Sequence, residues 1–434
     1  MRVLIVSPHF PPSNAADMQR VRLVLPYFRE FGIEAEVLAV DAEGVASPQD
    51  PWLVDGLPKD VPIHRVKPLS LRWSKIPGLG TLSLRAMSVL RKAGHVLLRE
   101  KTYDLIYFST TQFTTQLLGP EWKKNFGVPF LLDYQDPWVS DYYRDHPEIV
   151  PPGGRLKYRL AHFFNSRNEP RAYRTCSGLT SVSPAYPKQL ADRYPEAPVP
   201  PSLVIPFPGD TRDLERAREA AVGQSVFDPN DGQTHWVYIG RGGGDMAVAI
   251  RALFAALAEV PRPEKLRLHF IGTSYAAAGA GLKTIEPLAA EFGLEDVVTE
   301  HPDRIPYSQT LRCLQDADAL VVPGSDDPAY TASKIYPYLL ADRPMLAIFH
   351  EKSSVTSLVR DVGGGTIVPF TADDSLDELK TRIQALAFGH TSENQADRPV
   401  SLPQIPLDLE KFKPYDARSQ AEKLATFFRS CLEE

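Results

Sequence analysis

The 434-residue chain lacks most of the features that declare a function outright. Its three cysteines, Cys176, Cys313 and Cys431, are scattered, with no C-x-x-C pair and no histidine cluster nearby, so neither a disulfide framework nor a zinc knuckle is indicated. A reducing compartment is the expectation. No run approaches the roughly 20 apolar residues of a membrane span. The apolar start RVLIV turns polar and Pro-rich too soon for a signal peptide. A cytoplasmic location is therefore expected. H-E-x-x-H, G-x-S-x-G and paired Cys/His catalytic signatures are absent. Excess positive charge is missing as well: 48 basic against 54 acidic side chains give −6, which argues against nucleic acid as a partner.

What is present is a folding chain. With 43% hydrophobic and 10% aromatic residues there is enough apolar surface to offset chain entropy. The length suits two domains of about 200 residues each. The charge is divided unevenly between them. Residues 1–205 hold 25 basic and 20 acidic side chains, a balance of +5, and the remainder holds 23 and 34, a balance of −11.

Short Val/Ile/Leu-rich runs alternate with helix-like segments throughout, the pattern of parallel strands with crossover helices. The first series is RVLIVSP, AEVLAV, DLIYFST, PFLLDYQ, GLTSVS and SLVIPFP. The second is HWVYIG, LRLHFIG, DVVTEHP, ALVVPG, PMLAIF and GTIVPF. The pattern predicts an α/β protein of two Rossmann-like, doubly wound domains facing a cleft, with ligands at the carboxyl ends of the strands. The expected boundaries are 1–208 for the N-terminal domain, 209–233 for a linker and 234–405 for the C-terminal domain. Residues 406–434 would end in a helix.

In HWVYIGRGGGDMAVAI a strand ends in Gly240, Arg241, Gly242, Gly243 and Gly244 and runs straight into a helical pattern. Small residues let backbone N–H groups and the helix start approach an anion, and Arg241 adds a bidentate donor for phosphate. The plain alternative is a tight turn that requires glycine. Neither the P-loop order nor the G-x-G-x-x-G spacing is present. A second loop, SDDPAYTASKIYPYLL, follows the strand ALVVPG. Thr331 or Ser333 is placed to cap a helix with Lys334 in its first turn, so hydroxyl, N–H and ammonium groups could meet one phosphate. Here the alternative is an ordinary capped helix with a solvated lysine.

Taken in order, IGR before the glycine loop, RIPYSQTLRCLQDADALVVPG and SKIYPYLLADRPMLAI resemble the C-terminal half of GT-B glycosyltransferases of family 4. VSPHFPPSNAADMQR, DLIYFSTTQFTTQLLG and VPFLLDYQDPW resemble the N-terminal half. The resemblance implies transfer of a sugar from a nucleotide-sugar donor to an acceptor hydroxyl, with retention of configuration, no required metal and no cofactor beyond the donor. It makes residues 1–208 the acceptor side and 234–405 the nucleotide-sugar side, with the C-terminal helix of 406–434 crossing back to the first domain. It assigns Arg241 to the donor diphosphate and Ser333 and Lys334 to the nucleotide-sugar loop. Gln135 and Asp136 fall on the sugar and acceptor side, as do His9, Asn14 and Arg20 in and after the first loop. Glu169 matches a family glutamate.

The departures from the family pattern are as informative. Met246 stands where the family has a lysine, Ala329 and Pro337 where it has two glutamates, and Gln135 where it often has a histidine; Ser13, Asn14, Ala15 and Ala16 replace paired glycines. Arg304 and Lys334 are the candidates to replace the missing cation, and Asp326 and Asp327 the missing carboxylate. A catalytically silent nucleotide-sugar-binding scaffold and a sugar-nucleotide epimerase are the competing readings. Asp316 and Asp318 form a D-x-D string at a helix end, read as structural. His9 is open to a structural reading, and Gly363 to Gly365 read as a turn.

Two basic runs remain. Residues 61–101 carry nine Lys/Arg against Glu100, and Arg85, Lys92 and Arg99 recur every seventh position; residues 155–174 carry six against Glu169. Solvated helix faces are one account. The other is attraction to an anionic membrane surface, suited to a glycan or lipid-linked acceptor and to peripheral placement at the inner face of a membrane.

Overall fold

The computed structural model describes residues 1–76, 78–145, 151, 154–220, 222–261, 265–274, 276, 279–328, 330, 332–389 and 400–433. The chain divides into two compact units. One is Met1–Pro208 with Ala417–Glu434, and the other is Gly209–Asp416.

The first unit contains β1 (Arg2–Val6), β2 (Glu34–Val40), β3 (Ile63–Val66), β4 (Leu105–Ser109), β5 (Phe130–Tyr134), β6 (Gly178–Ser181) and β7 (Ser202–Val204). They form one sheet in the order β3-β2-β1-β4-β5-β6-β7, paired in parallel throughout. The second contains β8 (Thr234–Ile239), β9 (Leu266–Ile271), β10 (Val298–His301), β11 (Ala319–Pro323), β12 (Met345–His350) and β13 (Thr366–Phe370). Its order is β10-β9-β8-β11-β12-β13, again parallel. Setting aside the extra edge strand β7, both sheets have the same doubly wound order. In each the winding reverses beside the first strand, between β1 and β4 and between β8 and β11, which is where such sheets bind ligands.

Continuous apolar runs become central strands because helices cover both sheet faces; every residue of β4 and of β5 is buried. The sequence reading had no strand at β3. Its Ile63–Val66 is a short edge strand, half exposed and carrying His64 and Arg65, so it shows neither alternation nor an apolar run. Trp122 of the helix Leu118–Phe126 packs against this sheet, its ring stacked on Phe108 of β4 at 5.8 Å.

The helix Ala417–Ser430 belongs to the first unit. It buries Ala421, Leu424, Ala425 and Phe428, spaced to fall on one face, with the Phe428 ring 4.9 Å from Tyr107 and 6.2 Å from Phe28. A fully buried phenylalanine contributes about 1.5–3 kcal/mol. In the second unit the helix Thr211–Glu219, capped by Asp210 on Arg212 N, lies within residues 209–233 and packs against the helices Tyr307–Asp316 and Ile335–Leu340. Where the chain enters and leaves this unit, Gly209 and Asp416 pair, and Gly209 N donates to Tyr415 O at 2.9 Å.

The seven-residue basic stripe does not form a continuous surface. Arg85 is buried and donates to Gly44 O at 2.9 Å and Leu69 O at 2.7 Å, leaving Lys92 and Arg99 exposed on the helix Leu82–Glu100. No described helix is long and apolar enough to cross a membrane.

Candidate functional site

In the second unit the loops that leave β8 and β11 meet at the switch point. Arg241, just past β8, is held by Asp245 through two hydrogen bonds, Nη1 to Oδ1 at 2.8 Å and Nη2 to Oδ2 at 2.5 Å. Its guanidinium also lies 4.8 Å from the centre of the Tyr330 ring. The hydrogen bonds to Asp245 raise the Arg241 pKa further, so it is a permanent cation. Burial works to raise the Asp245 pKa, but hydrogen bonds from Arg241 and Ser325 hold it below the usual carboxylate range. Asp326 N donates to Asp245 O at 2.9 Å, which ties the β11 loop to the β8 loop.

Lys334 approaches the same place. Its ammonium contacts the Tyr238 hydroxyl and sits 4.3 Å from the centre of that ring. Burial, with the Arg241 charge adding to it and Arg304 contributing, pulls its pKa down to about 7. Tyr238 OH donates to Arg241 O at 2.7 Å, so one tyrosine of β8 supports both cations. Gly240 leaves the space that Lys334 fills: a Cβ would collide with Lys334 Nζ and stand 2.9 Å from Lys334 Cδ and from the Tyr238 hydroxyl, so a side chain there would move the lysine. Gly243 is required by conformation, at φ 150°, and Gly242 closes against Thr273, its N–H donating to Thr273 O at 2.8 Å. Gly244 opens a short 3₁₀ turn into the helix Ala247–Ala258, whose start has no side-chain cap. Two cations, small residues and a helix start without a side-chain cap are thus gathered in one place.

The remaining donor-side residues are distributed around this centre. Arg304 is exposed and close enough for its charge to act on Lys334. Asp326 and Asp327 are exposed on the β11 loop, and the Asp326 carboxyl is raised by burial and by the charges of Asp245 and Asp327. Ser333 is half-buried beside Lys334, and Thr331 lies outside the described residues, as does Ala329. The helix here begins later than the sequence suggested. It spans Ile335–Leu340 with Lys334 itself as N-cap and no side-chain cap, so Ser333 does not cap it. Pro337 falls in its first turn, where the missing N–H costs no intrahelical bond. Met246 points into the core and takes the Tyr238 hydroxyl at 3.8 Å, so nothing cationic comes from that position. Asp316 pairs with Arg312 at 2.6 Å and Asp318 accepts from His235 N at 2.7 Å. The first pair lies within the helix Tyr307–Asp316 and the second ties the start of β8, and the glycines from 363 turn the chain after the helix Ser354–Val362 with positive φ at Gly363 and Gly364.

In the first unit the loops after β1, β4 and β5 converge on two buried aspartates. Asp17 accepts from His9 Nδ1 at 2.8 Å through one oxygen. Through the other it accepts Thr110 Oγ1 at 2.9 Å, Thr111 N at 3.0 Å and Thr111 Oγ1 at 3.1 Å. Burial works to raise its pKa, but the His9 charge and these donors hold it low. Asp133 takes Arg20 Nε at 2.8 Å, Ser109 Oγ at 2.7 Å, Gln135 Nε2 at 2.7 Å and Thr180 Oγ1 at 2.8 Å. Gln135 also donates to Asp17 O at 3.1 Å, joining the two clusters, and its buried Oε1 has no hydrogen-bond partner among the described residues. Asp136 is open to solvent, yet burial by the surrounding protein, with the Asp17 charge, pushes its carboxyl up to about 6.

One residue expected on the acceptor side, Arg20, is turned into the protein. Arg20 is fully buried: besides Asp133 it donates to Pro206 O at 3.0 Å and Ile205 O at 2.9 Å, and so presents nothing to an acceptor. Asn14 is half-buried, with its backbone N–H on Pro48 O at 2.8 Å. Glu169 is 1% exposed and accepts Val139 N at 3.3 Å, Arg193 Nη1 at 3.0 Å and the Tyr194 hydroxyl at 2.8 Å. Among the described residues, no group of three or more His, Cys, Asp or Glu is placed to hold a metal ion. Sequence reasoning missed Asp17, Tyr238, Asp245, Ser325 and Tyr330. For Asp245 the signal was available, since it lies four residues after Arg241 at a helix start.

With this geometry established, the comparisons give the fold its family of shapes. Over its whole length the chain matches a crystal structure of Anabaena Alr3699/HepE in complex with UDP and glucose, at TM-score 0.54 and 16% identity, covering 97% of that chain. It matches a glycosyltransferase from Rickettsia africae ESF-5 at TM-score 0.58 and 12% identity, covering 100% of this chain and 99% of that one. An α,α-trehalose-phosphate synthase (UDP-forming) from Burkholderia vietnamiensis matches at TM-score 0.55 and 10% identity, covering 99% and 100%. The fold is GT-B. No protein-family model matches the chain, and no curated protein matches it in sequence.

Proposed function

We propose that this GT-B protein is a glycosyltransferase that moves a sugar from a nucleotide-sugar donor to an acceptor hydroxyl on a glycan or lipid-linked molecule. The observation that carries the reading is the convergence of Arg241 and Lys334 on the loop that Gly240 leaves open, beside the uncapped helix start. In glycosyl transfer, negative charge accumulates on the departing diphosphate, and fixed cations there stabilise the transition state more than the ground state. Asp245 aims Arg241 and Tyr238 supports Lys334, while Arg304 supplies further charge in place of the cation missing at Met246. A UDP-sugar is the proposed donor, in keeping with the UDP complexes of the structurally similar HepE protein.

The first unit supplies the acceptor side in this reading. His9 engages Asp17 through Nδ1, so Nε2 is the nitrogen that meets the acceptor hydroxyl. Asp136 lies beside Gln135 on the next loop. Retention and independence from metal are part of the proposal through the family-4 resemblance. The direct test is isothermal titration with UDP, GDP, ADP, CMP and their sugars, using the wild type and Arg241→Ala. Uridine compounds are expected to bind wild type and to bind the variant far more weakly.

One observation favours a second reading, a binding scaffold without turnover. The family's lysine position is Met246, which is buried, and Arg241 is neutralised by Asp245. Donor binding with no transfer and no slow hydrolysis across a panel of acceptors would favour it.

A further inference from the structure

The helix Arg155–Tyr173 in the first unit has an unusual surface. Leu156, Leu160, Phe163 and Phe164 are 74%, 53%, 49% and 59% exposed. Scattered exposed apolar residues are ordinary, but four large ones within nine positions of one helix form a patch. The cations of the same helix, Arg155, Lys157, Arg159, Arg167 and Arg171, are all exposed, while Arg174 just beyond it is ion-paired with Glu196. Its one acid, Glu169, is turned inward onto Val139, Arg193 and Tyr194. The exposed side chains of this helix are therefore all cationic or apolar, with half-buried polar side chains between them.

Beside it lies a pocket of about 560 Å³, lined in part by Tyr143, Tyr158 and Phe163 with Arg155, Arg159 and Arg167. On the helix the lining positions recur with a spacing of three and four residues, so they share one face. Tyr158 is fixed by donating to Ser140 O at 2.9 Å, and its ring meets Tyr143 at 5.5 Å. Arg167 stacks over Phe163 at 4.2 Å. Elsewhere in the same unit the 3₁₀ segment Leu71–Lys75 repeats the composition, with Leu71, Trp73 and Ile76 exposed at 36%, 40% and 42% between exposed Arg72 and Lys75.

From these features we infer that the helix Arg155–Tyr173 docks the protein on an anionic lipid bilayer, its leucines and phenylalanines entering the headgroup–acyl boundary while its arginines meet lipid phosphates. Charge selects this occupant over the others. A second copy seated face to face would oppose like charges with no exposed acid on the helix to relieve them. A bilayer provides both things the face lacks, a continuous anionic surface and an apolar layer just beneath it. Long cationic side chains reach the phosphates while the apolar side chains penetrate. The inference is independent of the donor reading, since docking needs no nucleotide.

The test is co-sedimentation of the full chain with vesicles of phosphatidylcholine alone and of phosphatidylcholine mixed with phosphatidylglycerol, with no nucleotide present. Wild type is expected to sediment with the mixed vesicles and to be released by salt. Leu160→Ser/Phe164→Ser and Arg159→Gln/Arg167→Gln are each expected to bind at least about tenfold more weakly. Thermal unfolding of both variants within about 2 °C of wild type shows that they fold. Equal binding to both vesicle types, no binding to either, or full binding by both folded variants overturns the inference. So does a concentration-dependent dimer that forms through this face without vesicle binding. UDP-sugar titration on the same samples keeps the two questions apart: loss of vesicle binding with donor binding intact bears on the docking surface alone.

Discussion

Gly240 and Lys334 cannot both carry a side chain into the space they share: a Cβ at 240 would overlap the lysine ammonium and press on its Cδ. Gly240→Ala is therefore expected to displace Lys334 from Tyr238 without disturbing the strand. Losing one charge-assisted contact of about 1.5–3 kcal/mol corresponds to roughly ten- to a hundredfold weaker donor binding. Lys334→Ala should give a similar loss by titration calorimetry. A wild-type affinity in both variants would remove Lys334 from the site.

The lowered pKa of Lys334 makes donor binding depend on pH. Below about 7 the lysine is a cation, and above about 7 it loses its proton in the free protein, so affinity for a diphosphate is expected to fall as pH rises through that value. Asp136, pushed up to about 6, ionises on the acid side. With both groups in use, kcat/KM should be bell-shaped with limbs near about 6 and about 7, and Lys334→Ala should abolish the alkaline limb. Stability follows its own sign. Between about 7 and the ordinary lysine range the unfolded chain holds the proton and the folded one does not, so the unliganded protein gains stability with rising pH there.

Asp245 positions Arg241 while opposing the negative charge of a diphosphate. If position matters more than local charge, Asp245→Ala weakens donor binding by about tenfold although it makes the site more positive. If affinity rises instead, Asp245 acts as a competitor for Arg241 and not as its support. Calorimetry on the purified variant distinguishes the two.

Arg20 and Asp133 form an ion pair with both side chains fully buried. Removing one partner strands the other charge, at about 3–5 kcal/mol. Arg20→Ala should therefore lower the midpoint of thermal unfolding strongly while leaving the donor affinity of the folded fraction unchanged. A variant with wild-type stability would contradict the strut reading.

On the acceptor side, His9→Ala is expected to reduce kcat by about a hundredfold or more with little change in KM for the donor. An equal loss in a Asp17→Asn variant with His9 intact would identify the hydrogen-bonded pair as the working unit. Unchanged kcat in His9→Ala would leave the histidine structural.

The strands were legible because buried parallel strands are written as apolar runs, and the glycine loop because a strand ending in Gly-Arg-Gly-Gly-Gly and running straight into a helical pattern marks a close backbone turn. What the sequence hid was pairing across the sheet. Asp17 and Asp133 read as ordinary polar residues, and their importance comes from donors delivered by β4, the loop just after it and β6, more than 20 positions away. Arg20, in a loop-like motif, looked available to a substrate, but burial and two backbone carbonyls of residues 205 and 206 take it up. Arg85 lost its place in the basic stripe for the same reason, since helical periodicity gives direction and not what lies opposite. Edge strand β3 was invisible because half-exposed, charged residues carry no core signature.

The most direct test of the account is release of UDP from a panel of UDP-sugars incubated with the full chain, wild type beside Arg241→Ala, with glycan and lipid-linked acceptors and with water alone. The account predicts UDP release by wild type, stimulated by an acceptor, and its loss of at least about a hundredfold in the variant. Failure of every nucleotide sugar to bind or turn over, or equal release by the variant, would contradict it.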